Sequence, residues 1–139
     1  MQTETNSVTI LSESDCWALL ATTALGRLVT SVDGEPEIFP LNFAVQGQTV
    51  LFSTAQGTKL VSAAINSHVL FEADGHTATE GWSVIVKGIA RALRTDAEIT
   101  EAAGSGLRPW TTTPKDHWVR IRPIRVTGRR FDFSHAGNG

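Results

Sequence analysis

Short runs of strand-forming residues, separated by tight polar turns, fill most of the sequence and limit the folds open to it. The runs at 25–32 and 37–45 are joined by Asp33-Gly34, a dipeptide typical of a two-residue hairpin turn. Further runs follow at 49–54, 68–73, 82–93, 117–127 and 129–133. A chain of 139 residues has room for one domain with a single core. The sequence therefore predicts a mainly β fold, a small barrel with short helices at its ends.

Helix signals are few and lie between the strands. Ser12 and Thr95 each precede an acidic residue by three positions, a pattern typical of a capped helix start. They predict helices over 15–22 and from Thr95 to a stop at Gly104, and a third short helix is predicted over 59–65. We expect one domain over residues 12–133, with disordered tails at 1–11 and 134–139.

Charge balance and cysteine content narrow the classes of function. A formal net charge of −2 and a pI near 6.0 argue against a surface dedicated to nucleic acid or to an anionic membrane. No apolar run reaches the ~18–20 residues that a bilayer-spanning helix needs, and the first residues do not have the pattern of a signal peptide. A single cysteine, Cys16, cannot form an internal disulfide. We therefore expect a cytoplasmic protein.

The sequence offers no recognisable set of catalytic side chains. Its four histidines are scattered without the spacing of a zinc site, so no metal is predicted. Cys16 falls on the apolar side of a predicted helix, where a packed thiol is usual. Arg27 either reaches an anion or, the interpretation we favour, forms a structural ion pair with Glu35 or Glu37. The lack of catalytic side chains fits a protein whose chemistry is carried by a bound cofactor. In such a protein the side chains position the cofactor and the substrate and set the charges around them.

The strongest local signal for a ligand is the turn that follows the strand at 49–54. Ser53 and Thr54 bring hydroxyl groups to the strand end, Gly57 permits a close turn, and Thr58 and Lys59 open the predicted helix. Free N–H groups at a helix start favour an anion, and Lys59 adds a positive charge. The pattern is neither a phosphate loop nor a dinucleotide fingerprint. From spacing alone, a phosphate site and an ordinary solvated turn both remain open.

An ordered series of short motifs extends through most of the chain. It consists of Leu25-Gly26-Arg27-Leu28, Asp33-Gly34-Glu35-Pro36, Phe39-Pro40-Leu41-Asn42-Phe43, Val50-Leu51-Phe52-Ser53-Thr54, Gly57-Thr58-Lys59-Leu60, Val69-Leu70-Phe71-Glu72-Ala73-Asp74 and Gly81-Trp82-Ser83-Val84-Ile85-Val86-Lys87-Gly88. The series resembles the pyridoxamine 5′-phosphate oxidase-like family of FMN-binding split barrels, over about 12–133. The resemblance implies a homodimer of split β-barrels with the cofactor bound in the groove between the two copies.

The resemblance also implies which residues hold the flavin. The residues implied for its phosphate are Ser53, Thr54, Thr58 and Lys59. The residues implied for its isoalloxazine ring are Asn42, Phe43, Trp82 and Ser83. The implied function is an FMN-dependent oxidoreductase that transfers hydride or electrons between a reductant and a small organic substrate. Two alternatives remain open, a reductase that uses the deazaflavin F420 on the same fold and a cofactor-binding or sensing protein without turnover.

The chain departs from the oxidases that give the family its name. Those oxidases carry an Arg and a Lys on the second strand, where this chain has Phe39 and Ala44, and they end in an Arg-x-His motif that this chain does not have in register. We therefore expect no oxidation of pyridoxamine phosphate, and the resemblance is to the short branch that includes nitroimidazole-resistance proteins. Five arginines near the end of the chain either serve a more anionic cofactor or form one solvated face: Arg120, Arg122, Arg125, Arg129 and Arg130.

Overall fold

Eight strands and two helices succeed one another in the residues that the computed structural model describes, which are 7–54, 64, 67–107 and 117–133. The strands are β1 (Val8–Ile10), β2 (Leu25–Val32), β3 (Glu35–Asn42), β4 (Ala44–Val45), β5 (Val50–Thr54), β6 (His68–His76), β7 (Glu80–Ala92) and β8 (His117–Asp132). The helices are α1 (Glu13–Leu20) and α2 (Asp96–Ala103). The prediction of a mainly β fold is confirmed. Neither helix has the length and apolarity needed to cross a bilayer.

The strands form one antiparallel sheet that curls into a split barrel. Its order is β3-β2-β6-β7-β8-β5-β4, and β1 pairs with β8 away from this path. The two ends of the order, β3 and β4, are separated in the chain by Phe43 alone. The sheet therefore returns on itself, and β3 also contacts β5. Pro36 and Pro40 lie on β3 at the end of the order, where a residue that cannot donate a ladder hydrogen bond is tolerated.

Alternation along the strands separates a buried inner face from an outer face. Leu28, Phe71 and Val86 point inward and are fully buried. Arg27, Leu70 and Ile85 belong to the opposite set of alternating positions and lie on the outer face. One end of the core is covered by α1, whose Cys16, Trp17 and Leu20 are buried.

A β-bulge interrupts the pairing of β7 with β8. The register shifts between Lys87 and Gly88, so that Lys87 faces Arg125 while Gly88 faces Pro123. Ile124 is the extra residue of the bulge and is 58% exposed. Pro123 cannot donate a ladder hydrogen bond and is tolerated at such a position.

Several sequence predictions differ from the structure in their bounds. The runs at 117–127 and 129–133 form one continuous strand, because Gly128 pairs regularly with Val84. Residues 8–10, expected in a disordered tail, form β1 along β8. Helix α1 begins at Glu13 and ends at Leu20, earlier than the predicted 15–22. The predicted helix over 59–65 lies outside the described residues except for Ala64.

Both predicted N-cap residues, Ser12 and Thr95, are confirmed. The Ser12 hydroxyl accepts a hydrogen bond from the Asp15 N–H at 3.1 Å. Thr95 and Glu98 form a reciprocal capping box, and Gly104 ends α2 as predicted. Hydrogen bonds from the backbone N–H groups of Thr95 and Arg94 hold the pKa of the Glu98 carboxyl below its usual value.

Glycine at position 88 is required by the close approach of β8. A Cβ at this position would lie 2.3 Å from the carbonyl oxygen of Arg122, a backbone atom that cannot move aside alone. We expect Gly88→Ala to lower the free energy of unfolding by about 1–3 kcal/mol, as overpacking does. Denaturant unfolding would measure the change. The matched control is Gly104→Ala, whose Cβ would meet nothing closer than 3.5 Å and should change stability by under ~0.5 kcal/mol. Equal effects of the two substitutions would contradict this account.

Candidate functional site

The structure brings four of the implied site residues together where β3 and β5 meet, a region we call the β3–β5 junction: Asn42, Phe43, Ser53 and Thr54. The β4–β5 ladder pairs Ala44 with Leu51, and β3, which ends two residues before Ala44, also contacts β5. Asn42 and Thr54 are the last residues of their strands. The remaining two residues of the predicted phosphate site, Thr58 and Lys59, lie outside the described residues.

The hydroxyl groups at the junction differ in their availability. Thr54 is 6% exposed and is already engaged in an interaction, whereas Ser53 is half-buried. Across the ladder they face His117 and Trp118 of β8. Successive residues of a strand point to opposite faces, so Ser53 and Trp118 lie on one face of the sheet and Thr54 and His117 on the other. Of the two hydroxyl groups, that of Ser53 is therefore the one more available to donate to a phosphate group.

At the junction, Phe43 turns its side chain into the core. It is 2% exposed, and its ring meets that of Phe71 edge to face at 4.7 Å. Its N–H donates to the Ala24 carbonyl at 2.9 Å. A ligand on the outer surface could therefore contact Phe43 only through its carbonyl group. Asn42 is half-buried and belongs to the outward set of positions, opposite exposed Leu25.

The other two implied ring contacts, Trp82 and Ser83, lie on β7 at a place we call the β6–β7 rim. Trp82 is half-buried and packs tightly over Gly75, where a Cβ would lie 2.7 Å from the indole Nε1. The Ser83 hydroxyl donates to the Glu72 carboxylate at 3.3 Å. A groove of about 340 Å³ lies beside both residues.

An ion pair in the middle of the outer face holds the acceptor of Ser83 in place. Arg27 Nη1 donates to Glu72 Oε1 at 2.8 Å and approaches Asp74 at 3.5 Å. The nearby Asp74 carboxylate and the hydrogen bond to Glu72 raise the pKa of the Arg27 guanidinium. The structural role predicted for Arg27 fits, but its predicted partners Glu35 and Glu37 are wrong. Arg27 faces Glu72 in the β2–β6 register, and sequence alone does not show which strand becomes its neighbour.

Within one chain, the implied site residues are thus divided between two regions. The junction lies on β3 and β5 and the rim on β7, with β2 and β6 between them on one side and β8 between them on the other. At the usual strand spacing this is about 10–14 Å along the sheet. The Arg27–Glu72 ion pair occupies the surface between the two regions.

The five C-terminal arginines do not form one solvated face. Arg120 is 7% exposed and donates to Thr49 Oγ1 at 2.8 Å and to Gln46 Oε1 at 3.0 Å. It also approaches Glu101 of α2 at 3.5 Å, so it connects the β4–β5 turn to the helix. The other four arginines are exposed. Two of them, Arg125 and Arg129, line a groove of about 470 Å³ that we call the outer groove.

The outer groove is formed by β1, β6, β7 and β8, and no motif in the sequence predicted it. The alternating arginines near the end of the chain are the sequence feature that could have indicated this groove. Elsewhere in the described part of the chain, no cluster of three or more His, Cys, Asp or Glu side chains could hold a metal ion. Cys16 is buried, and burial raises the pKa of its thiol, which argues against a thiolate nucleophile.

Comparison with known proteins supports the resemblance. A family model described as "Pyridoxamine 5′-phosphate oxidase" matches residues 12–130. The chain is 58% identical to a protein of Mycobacterium smegmatis whose structure is named as that of an FAD binding protein. That alignment covers 90% of this chain and 99% of the other, with a TM-score of 0.83.

Two further structures extend the comparison. A protein of Corynebacterium glutamicum, named as a candidate pyridoxamine 5′-phosphate oxidase, is 41% identical over 91% of this chain and 94% of its own, with a TM-score of 0.84. A protein of Bacteroides thetaiotaomicron, named as a candidate 5-nitroimidazole antibiotic resistance protein, is 12% identical. It covers 90% of this chain and 88% of its own with a TM-score of 0.74, and shares the fold alone.

Proposed function

The chain belongs to the pyridoxamine 5′-phosphate oxidase family, and on that premise we propose that it is a flavin-nucleotide-binding oxidoreductase of the cytoplasm. The likeness to the FAD binding protein of Mycobacterium smegmatis carries the proposal, because it extends over nearly the whole of both chains. The ligand is FMN, as the resemblance implies, or FAD, which contains the same FMN moiety.

At the β3–β5 junction, the chain holds the flavin phosphate. The Ser53 hydroxyl donates to a phosphate oxygen, beside Thr54. Thr58 and Lys59 complete the cradle from the segment that follows β5. The ring contacts are a carbonyl from Phe43, the Asn42 side chain, and Trp82 with Ser83. Pairing of Ser83 with Glu72 fixes the orientation of its hydroxyl.

The reaction assigned to the site is transfer of hydride or electrons between a reductant and a small organic substrate. The bound flavin supplies this redox chemistry, while the protein positions the reactants and excludes water. Trp82 is suited to the second task, since it is a half-buried aromatic side chain held against Gly75. Pyridoxamine phosphate is not the proposed substrate. Phe39, at the position of a phosphate-binding arginine in those oxidases, packs against the core.

A homodimer is part of the proposal. Apolar side chains lie side by side on the outer face, where Ile38 faces Val29 and Val29 faces Leu70. Ile38 is 64% exposed and Leu70 39%. An exposed apolar face of this kind favours association. A second copy also resolves the separation of the two regions, because the junction of one copy can combine with the β6–β7 rim of the other.

The first test is an absorption spectrum of the purified protein, before and after titration with FMN, FAD and F420. We expect an oxidised-flavin band that stays with the protein through gel filtration, or tight uptake of FMN or FAD. Reduction of the bound flavin followed by reoxidation with nitroaromatics or quinones would show turnover. Flavin binding without reoxidation would favour a sensing protein, and binding of F420 alone would replace the cofactor. Failure to bind any of the three would refute the proposal.

Lys59→Ala tests the phosphate cradle. Loss of one charged hydrogen bond should weaken FMN binding by about 1.5–3 kcal/mol while leaving the fold intact. Equilibrium titration of flavin fluorescence gives the affinity, and circular dichroism checks the fold. Arg94→Ala is the matched control, because it removes one cation from an exposed position outside both regions. Equal affinities of Lys59→Ala and the unmodified protein would remove Lys59 from the site.

Mixed dimers test whether one site uses two copies. Ser53→Ala combined with Lys59→Ala damages the junction, and Ser83→Trp blocks the rim, so each variant alone should bind flavin poorly. Co-expressed with two different affinity tags, mixed dimers should recover about one normal site per dimer, because one site then receives an intact junction and an intact rim. Sites built within a single copy would both stay damaged in the mixed dimer, and no recovery would be seen.

A further inference from the structure

Among the residues that the structure describes, the lining of the outer groove contains three cations and no carboxylate. Lys87 and Arg125 face each other directly across β7 and β8, and Arg129 lines the same groove four positions further along β8. All three side chains are exposed. None forms an ion pair with another residue in the described ranges, in contrast to Arg27 and Arg130. The groove is therefore a concave, uncompensated positive surface on a chain whose formal net charge is −2.

The β-bulge creates the pairing of Lys87 with Arg125. If the register that holds from Gly88 to Ala92 continued without the bulge, Lys87 would face Ile124. The extra residue moves the ladder by one position and brings a second cation opposite the first. Like charges directly opposite each other destabilise a sheet, so this arrangement has a cost that a bound anion would remove. Bulges frequently re-aim side chains beside functional sites.

The rest of the groove is suited to a flat apolar group. Leu70 and Ile85 are 39% and 41% exposed and lie beside the cations, and Phe131 lines the same groove. Ser83 also lines it, which makes the outer groove continuous with the β6–β7 rim. The apolar floor and the cationic end of the outer groove together fit a molecule that has an aromatic part and an anionic part.

We propose that the outer groove binds a small aromatic molecule that carries a phosphate or carboxylate group. The anion lies between Lys87 and Arg125, and the aromatic part lies on Leu70 and Ile85. Two sources share this chemistry, namely the adenylate half of FAD and a separate anionic substrate that meets the flavin beside Ser83. Only the role of the ligand rests on the proposed function, since binding to the groove does not require the flavin.

Adenosine 5′-monophosphate is the probe, with adenosine as its uncharged counterpart. We expect calorimetric titration of the full chain to give an affinity for the monophosphate at least about tenfold above that for adenosine. The double variant Lys87→Ala/Arg125→Ala should lose that difference. The double variant Arg94→Ala/Arg122→Ala removes the same charge from exposed positions that do not line the groove, and should retain affinity within about twofold. Thermal unfolding should show no loss of stability in Lys87→Ala/Arg125→Ala, because it removes a like-charge contact.

Flavin titrations separate the two sources. Weaker binding of FAD but not of FMN by Lys87→Ala/Arg125→Ala identifies the groove as the adenylate site. Unchanged binding of both flavins, with charge-dependent uptake of the monophosphate by FMN-loaded protein, identifies a site for a separate anionic ligand. Equal affinities for the monophosphate and adenosine, an unchanged affinity in the variant, or no uptake because a second copy covers the groove would each overturn the proposal. Charge-dependent uptake by a protein that binds no flavin would support the groove and refute the proposed function.

Discussion

The pairing of β7 with β8 is the interaction on which the rest of the structure depends. These are the two longest strands, and β8 also carries β5 and β1 at its two ends. The shared strand β8 thus fixes where the junction, the barrel wall and the outer groove lie. One irregularity in the pairing, the bulge at Gly88, determines which side chains face each other on the outer surface. A backbone constraint therefore sets the electrostatics of that surface.

The strands could be predicted from sequence because their signals are local. Alternation of apolar and polar residues, and turn dipeptides such as Asp33-Gly34, depend only on residues close together in the sequence. The hairpin of β2 with β3 could therefore be predicted from them. Pairings between distant strands are not encoded in this way. Arg27 finds Glu72, 45 positions later, because β6 becomes the neighbour of β2. The bulge was hidden for the same reason, since Gly88 and Pro123 become meaningful only when they face each other.

Burial separates the implied site residues whose side chains stay accessible from those whose side chains do not. Ser53 and Ser83 are polar residues in half-buried positions, and the resemblance of motifs implies both as flavin contacts. It does not show that the Phe43 side chain packs on Phe71, or that Arg120 is buried against Thr49. An arginine in a run of arginines looks solvated until the packing of α2 and the β4–β5 turn around it is known.

The outer face carries apolar side chains, which favour association with a second copy, and cations, which oppose it. Its apolar side chains favour a second copy, yet close approach of two such faces would bring Lys87, Arg125 and Arg129 of both copies toward one another. Coulomb repulsion between them grows as water is excluded. An anionic ligand in the groove would remove that conflict, because it supplies the negative charge that the described lining of the groove lacks. If two copies associate through this face, a ligand bound in the groove would raise the affinity of the copies for each other, and their association would raise the affinity for the ligand by the same factor.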